Sequence, residues 1–215
     1  MSRTALKASL ALWQRRHAYR QRKLDGAHRR DDQKEILHWH RRLEEAGAKI
    51  ARRHTQLKVP QPLRERAWDQ MQRLIDMKVT EQGANNRGAM VEKIIRANFG
   101  LPGEPWCGDT VAACYLWAGA TPGTVSRAWA SVRLLERLLM RVRRPMRGHV
   151  VTYTFDHTGL FDRWAPEKGA GYFWAGEGNT GNQGAQSDSI TGGDGVKLKA
   201  RHTSQVSGFW RVRGK

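Results

Sequence analysis

Two side chains in this sequence can act as sulfur nucleophiles, and both lie in one stretch, "GEPWCGDTVAACYLWAG", Gly103 to Gly119. Cys107 follows Pro105 and Trp106 and opens an apolar run that reads as a helix. Gly103, Pro105 and Asp109 mark the helix entry. A helix start presents free backbone N–H groups and about half a positive charge, which favour a thiolate. The same N–H groups can receive the oxyanion of a tetrahedral intermediate. Cys114 falls two turns further in, among Val111, Ala112, Tyr115 and Leu116, and reads as a core thiol. Two helical turns separate the α-carbons by about 10 Å, beyond the roughly 7 Å a disulfide spans. Both thiols are therefore read as free, which implies synthesis in a reducing compartment.

A thiol nucleophile needs a base. Of the eight histidines, His17, His28, His38, His40 and His54 fall within the first 58 residues, leaving His149, His157 and His202. His157 begins "HTGLF" after a tight turn in "YTFD", a strand start from which an imidazole can face the helix terminus. His149 begins the preceding strand, and His202 ends "KLKARH". A third group must fix the imidazole tautomer. "EGN", Glu177 to Asn179, offers a carboxylate and an amide two residues apart, on one face of an extended segment.

These groups need a scaffold, and the chain changes character near residue 60. Residues 1–58 hold 16 Lys+Arg against 6 Asp+Glu, +10 of the formal net charge of +18, and no proline. Leu6, Leu10, Trp13, His17 and Leu24 mark one helical face; Ile36, Leu43, Ile50 and Leu57 recur every seven residues, with Trp39 and Ala46 between them. "Leu24-Asp25-Gly26" is expected to break the first helix, and Asp31 or Asp32 to cap the second. The reading is a basic antiparallel helical hairpin. "KVPQPLRER", with two prolines, supplies a linker at 59–65.

From residue 66 onward helices come first and strands second. Residues 64–78, Met90 to Phe99, the Cys107 run and Ala128 to Arg141 read as helices, the last basic and ended by Pro145. "HVVTYTF", "HTGLFDRW", "GYFWAGEG", "GVKLKARH" and "SGFWRVR" then read as short strands between glycine and polar turns. That order predicts an α+β domain with helices on one side of an antiparallel sheet. "GNTGNQGAQSDSITGGDG" reads as a flexible loop.

The succession PWC with a helix, "RGHVVTYTFDHTGLF", "AGEGNT", then "GVKLKAR" and "SGFWRV" resembles the CHAP family, the cysteine- and histidine-dependent amidohydrolases and peptidases common in phage endolysins. The resemblance covers residues 66–215 and implies a papain-like α+β fold that cleaves amide bonds of peptidoglycan. Carried over by position, it implies Cys107 as nucleophile, His157 of the "H-x-G" motif as base, Glu177 as the acid that orients it, and Asn179 as the polar residue of "EGN". Gly148 is followed by His149 where the family carries Gly-Asp, and Ala128 to Arg141 looks like an insertion. Some members bind calcium through an acidic loop; no such cluster occurs here, and no metal or other cofactor is expected.

The implied function is an endolysin-type peptidoglycan hydrolase cutting either the muramoyl-L-alanine amide or a stem or cross-link peptide bond. The expected partners are peptidoglycan and, through the hairpin, anionic wall polymers or a membrane surface. Ala8 to Trp13 is too short for a signal-peptide core or a membrane span. The expected location is therefore the host cytoplasm before release to the wall, or alternatively the virion. The competing reading is a basic nucleic-acid- or membrane-binding protein with an inactive papain-like domain. No recognised nucleic-acid motif accompanies the charge.

Overall fold

The computed structural model describes residues 3–30, 32–57, 61–121, 123–181 and 195–212. These form six α-helices and a six-stranded antiparallel sheet, an α+β arrangement. The chain divides into two compact units, Met1–Gln61 with Ala165–Gly171, and Pro62–Trp164 with Tyr172–Lys215.

In the first unit α1 (Arg3–Arg30) and α2 (Gln33–Leu57) run antiparallel. Arg53 Nε donates to Ser9 Oγ at 3.1 Å near one end, and the Tyr19 and Trp39 rings meet edge-on at 6.1 Å nearer the turn. Ile36 and Ala46 of the seven-residue pattern are buried, with Trp39, Leu43 and Ile50 half-buried. The side chain of Leu57 lies outside the described residues. Asp32 caps α2, its Oδ1 accepting from the Glu35 N–H at 3.0 Å. The expected break at Gly26 does not occur, since α1 continues to Arg30. A mid-helix glycine costs only about 1 kcal/mol relative to alanine. Here Leu24 and Ala27, both fully buried, flank it, and their packing outweighs that cost.

The second unit opens with α3 (Leu63–Asp76), α4 (Ala89–Ala97) and α5 (Cys107–Trp117). A short 3-10 turn (Arg127–Ala130) and α6 (Val132–Leu138) follow, then β1 (Met140–Val142), β2 (Val150–Tyr153), β3 (Thr158–Trp164), β4 (Tyr172–Glu177), β5 (Lys197–His202) and β6 (Val206–Arg211). The sheet order is β1-β6-β2-β3-β4-β5. The helix expected over Ala128 to Arg141 is thus corrected. Ser131 Oγ caps α6 by accepting from the Leu134 N–H, the helix stops at Leu138, and Met140–Val142 pairs with Phe209–Arg211 instead. The open edge of β6 supplies backbone partners that a further helical turn would forgo.

Every residue of α5 from Cys107 to Tyr115 is buried, because α3, α4, the 3-10 turn and the sheet surround it. A second cluster gathers Val151, Tyr153, Phe161, Phe173 and Ala175. The Phe173 and Phe209 rings lie 5.5 Å apart although β2 and β3 separate their strands. Flat strands at about 4.8 Å spacing would hold them much further apart, so the sheet curls around these rings. Residues 182–194 of the glycine-rich loop lie outside the described residues. No described helix is long and apolar enough to cross a membrane.

Candidate active site

Cys107 occupies the first position of α5 and is 3% exposed. Trp106 precedes it and provides no capping side chain, so the first-turn N–H groups carry no side-chain cap. Two close approaches fix where this helix end sits. A Cβ on Gly108 would stand 2.2 Å from the Trp129 carbonyl oxygen, and one on Gly178 would stand 2.0 Å from Thr110 Oγ1. Only glycine lets the 3-10 turn and the end of β4 close on the first turn of α5. Glu177 is the last residue of β4, so the second contact also sets the carboxylate's position relative to the thiol.

His157 precedes β3 and is fully buried. Its ring stacks at 5.8 Å on Tyr153 and at 6.0 Å on Phe155. His157 Nε2 lies 3.0 Å from Glu177 Oε2. With Glu177 ionised, Nε2 carries the proton and donates, which leaves Nδ1 as the basic nitrogen. Nδ1 is buried and makes no hydrogen bond of good geometry among the described residues. The Cys107 thiol nonetheless lies within reach of the ring and acts on its titration. Burial pulls the imidazole pKa down, but interaction with Cys107 and then with Glu177 carries it up to about 9.

Glu177 is held by more than the histidine. Arg201 Nε donates to Oε1 at 2.9 Å and its second guanidinium nitrogen to Oε2 at 2.6 Å, a bidentate pair in which both residues are buried. Tyr153 OH donates to Oε1 at 2.6 Å. The guanidinium also lies 5.2 Å from the Tyr153 ring centroid and 5.4 Å from that of Phe155. Burial pushes the Glu177 carboxyl up, but Arg201 and then His157 outweigh it and hold the group down at about 2. Asn179 lies buried just beyond, at φ 55°, a left-handed conformation that asparagine tolerates.

The structure therefore brings His157 and Glu177 into contact beside Cys107, with Asn179 two residues beyond Glu177. It separates the other candidates. His149 Nδ1 accepts the Met146 N–H at 3.1 Å in the turn before β2. Burial, with Arg64 and Arg211 nearby, pulls its imidazole down to about 4 and keeps it neutral. His202 Nδ1 pairs with Ser204 across the turn after β5. Cys114 is fully buried, and burial pushes its thiol up.

Tyr153 and Arg201 escape a reading of the sequence alone. Arg201 follows Lys197 and Lys199 at alternate positions of β5, and the register sets it opposite Phe173 rather than Glu177, so its contact with Glu177 depends on where the guanidinium reaches in the folded sheet. A second buried group was equally silent. Asp109, in the first turn of α5, accepts from Asn98 Nδ2 at 2.7 Å and from Arg127 at 3.0 Å. Burial pushes its carboxyl up to about 6, against the pull of Asn98 and Arg127. No group of three or more His, Cys, Asp or Glu able to hold a metal converges among the described residues. Compared with protein-family models, curated proteins and solved structures, the chain finds no match.

Proposed function

We propose that this chain is a cysteine-dependent peptidoglycan hydrolase of the CHAP type, with a papain-like catalytic unit. The observation that carries the reading is the buried His157–Glu177 pair beside Cys107 at the uncapped start of α5. His157 takes the Cys107 proton, or already holds it as an imidazolium paired with the thiolate, and the thiolate attacks an amide carbonyl of the wall. The first-turn N–H groups of α5 receive the oxyanion. The imidazolium then returns its proton to the leaving amine, and water hydrolyses the thioester to regenerate the thiol. Glu177 fixes the ring with Nδ1 available and favours the imidazolium. Arg201 and Tyr153 are positioning residues, keeping Glu177 ionised and aimed at Nε2. The scissile bond is the muramoyl-L-alanine amide or a peptide bond of the stem or cross-link. The hairpin's +10 charge draws the enzyme to anionic wall polymers.

The test is clearance of a suspension of purified bacterial walls. Wild-type protein should clear it, and iodoacetamide should stop the reaction. Cys107→Ser should abolish clearance with the fold retained, whereas Cys114→Ser should keep most activity with some loss of stability from a buried hydroxyl. Undiminished lysis by the Cys107→Ser protein would remove the catalytic assignment.

A further inference from the structure

The run from Arg133 to Arg147 holds six arginines and a single acid, Glu136, and the thiol chemistry uses none of them. Glu136 is engaged elsewhere, its Oε1 accepting from Thr152 Oγ1 at 2.6 Å. The run builds α6, β1 and the turn into β2, and β1 is an edge strand paired only with β6. A groove of about 610 Å³ follows that edge, lined by Arg141, Arg143, Thr203, Ser207 and Phe209 among others. Among the described residues no carboxylate lines it, and neither Cys107, His157 nor Glu177 does.

Two features distinguish this groove from a plain solvated basic face. One is concavity with charge of a single sign, which concentrates an anion. The other is order in its donors. Arg141 donates to the Ser207 carbonyl at 2.9 Å and lies 5.8 Å from the Trp210 ring centroid, so its guanidinium is fixed before any ligand arrives. Arg143 beside it is exposed and has no ion pair among the described residues. Guanidinium groups match phosphate oxygens in planar, two-bond geometry, and the hydroxyls of Thr203 and Ser207 add donors of the same use.

We propose that this groove binds the phosphate groups of a poly(alditol phosphate), an anionic wall polymer, and anchors the catalytic unit independently of the hairpin. The choice of polymer rests on the wall-hydrolase reading; the phosphate chemistry does not. Nucleic acid fits less well. Single strands bind through bases stacked on aromatic faces. Here Arg141 covers Trp210, and Phe209 is engaged edge-on with Phe161 and Phe173. The groove can hold a backbone phosphate and offers a base nothing to stack on.

The experiment uses the full chain and a short fluorescent oligo(glycerol phosphate), with affinity followed by anisotropy across a salt series. Arg141→Gln/Arg143→Gln should weaken binding about tenfold or more and reduce the slope of log Kd against log salt by nearly two. Arg143→Gln alone, which leaves the Arg141–Ser207 bond in place, should cost about threefold. The charge-matched pair Arg73→Gln/Arg96→Gln, on exposed positions of α3 and α4, should change affinity less than about twofold. Equal losses in the two pairs, or no loss in the groove pair, overturns the proposal. Oligothymidylate of the same charge bound as tightly through the same two arginines overturns the polymer assignment. Cleavage of polymer-free peptidoglycan, measured in parallel, separates the two ideas. Intact cleavage with unaltered oligomer affinity in the groove pair removes the groove alone. Groove-dependent binding with no cleavage by any form removes the hydrolase and leaves the phosphate site.

Discussion

The two histidines that lead into β2 and β3, His149 and His157, differ in what surrounds each ring, and their roles should separate accordingly. His157 faces Glu177 and the Cys107 thiol and holds its proton up to about pH 9; His149 is a neutral acceptor in a turn, down at about 4. His157→Ala should remove wall cleavage and slow alkylation of Cys107 by iodoacetamide at neutral pH, since no imidazolium remains to favour thiolate. His149→Ala should change either rate by no more than a modest factor, and the opposite pattern would move the base. The Glu177–Arg201 pair makes a separate prediction at acid pH. The Glu177 folded pKa, about 2, is depressed below its ordinary 4.5, so its contribution to stability is complete above 4.5 and lost as pH falls through 2. Arg201→Gln removes the main cause of that depression. Acid unfolding should then begin at a higher pH, and stability at neutral pH should fall by about 3–5 kcal/mol, the cost of breaking a buried pair. An unchanged acid limb, read by tryptophan fluorescence, would contradict the role given to Arg201. Cys107 and His157 could be picked out in the sequence because each opens a patterned run, and Glu177 because it stands at the end of one. Arg201 was not, because nothing local distinguishes a buried arginine from the half-buried Lys197 and Lys199 that precede it at alternate positions.

At the scale of elements, the site depends on how closely α5, the 3-10 turn and β4 approach one another. Gly178→Ala would drive a methyl into Thr110 Oγ1, only 2.0 Å from the added carbon, and push the end of β4 off α5. Wall cleavage should fall by at least about tenfold, since a displacement near 1 Å suffices to disorder a reacting geometry. Far-UV circular dichroism should stay close to wild type. Retained cleavage would show that the spacing of β4 from α5 does not matter. Asp109 ties the same helix end to Asn98 and Arg127. Its folded pKa, about 6, is raised above the ordinary 3.8, so ionising it opposes folding, and stability falls as pH rises through 6. Asp109→Asn should therefore raise the Tm relative to wild type at pH 7.5 but not at pH 4, as scanning calorimetry at both pH values can check. The strands β2 to β6 could be read from alternation and glycine punctuation. β1 could not: Met140–Val142 continues a leucine–arginine pattern of helical period, and only the free edge of β6 turns it into strand. Gly26 misled in the opposite direction, because the burial of Leu24 and Ala27 is a tertiary fact.

For the whole molecule, charge is divided unequally, with +10 of the +18 in residues 1–58. Deleting that segment should leave a protein that still cleaves soluble wall fragments, with weaker and less salt-dependent adsorption to intact walls, since exposed charges are screened over about 10 Å at 0.1 M salt. Failure of the truncated chain to fold would show that the helical unit, which also includes Ala165–Gly171 from between β3 and β4, is required by the rest. The separation of a basic helical segment from a helix-then-strand domain was legible from composition and periodicity; the assignment of Ala165–Gly171 to the helical unit was not, because it depends on packing between segments far apart in sequence. The proposed chemistry has the Cys107 thiol open an amide of peptidoglycan. Mass spectrometry of purified walls after digestion tests it most directly. Wild type should form fragments that have each gained one water at a single kind of amide bond, with one new amine and one new carboxylate, and Cys107→Ser should form none. Walls left intact by folded wild-type protein, or the same fragments released by the serine variant, would contradict it.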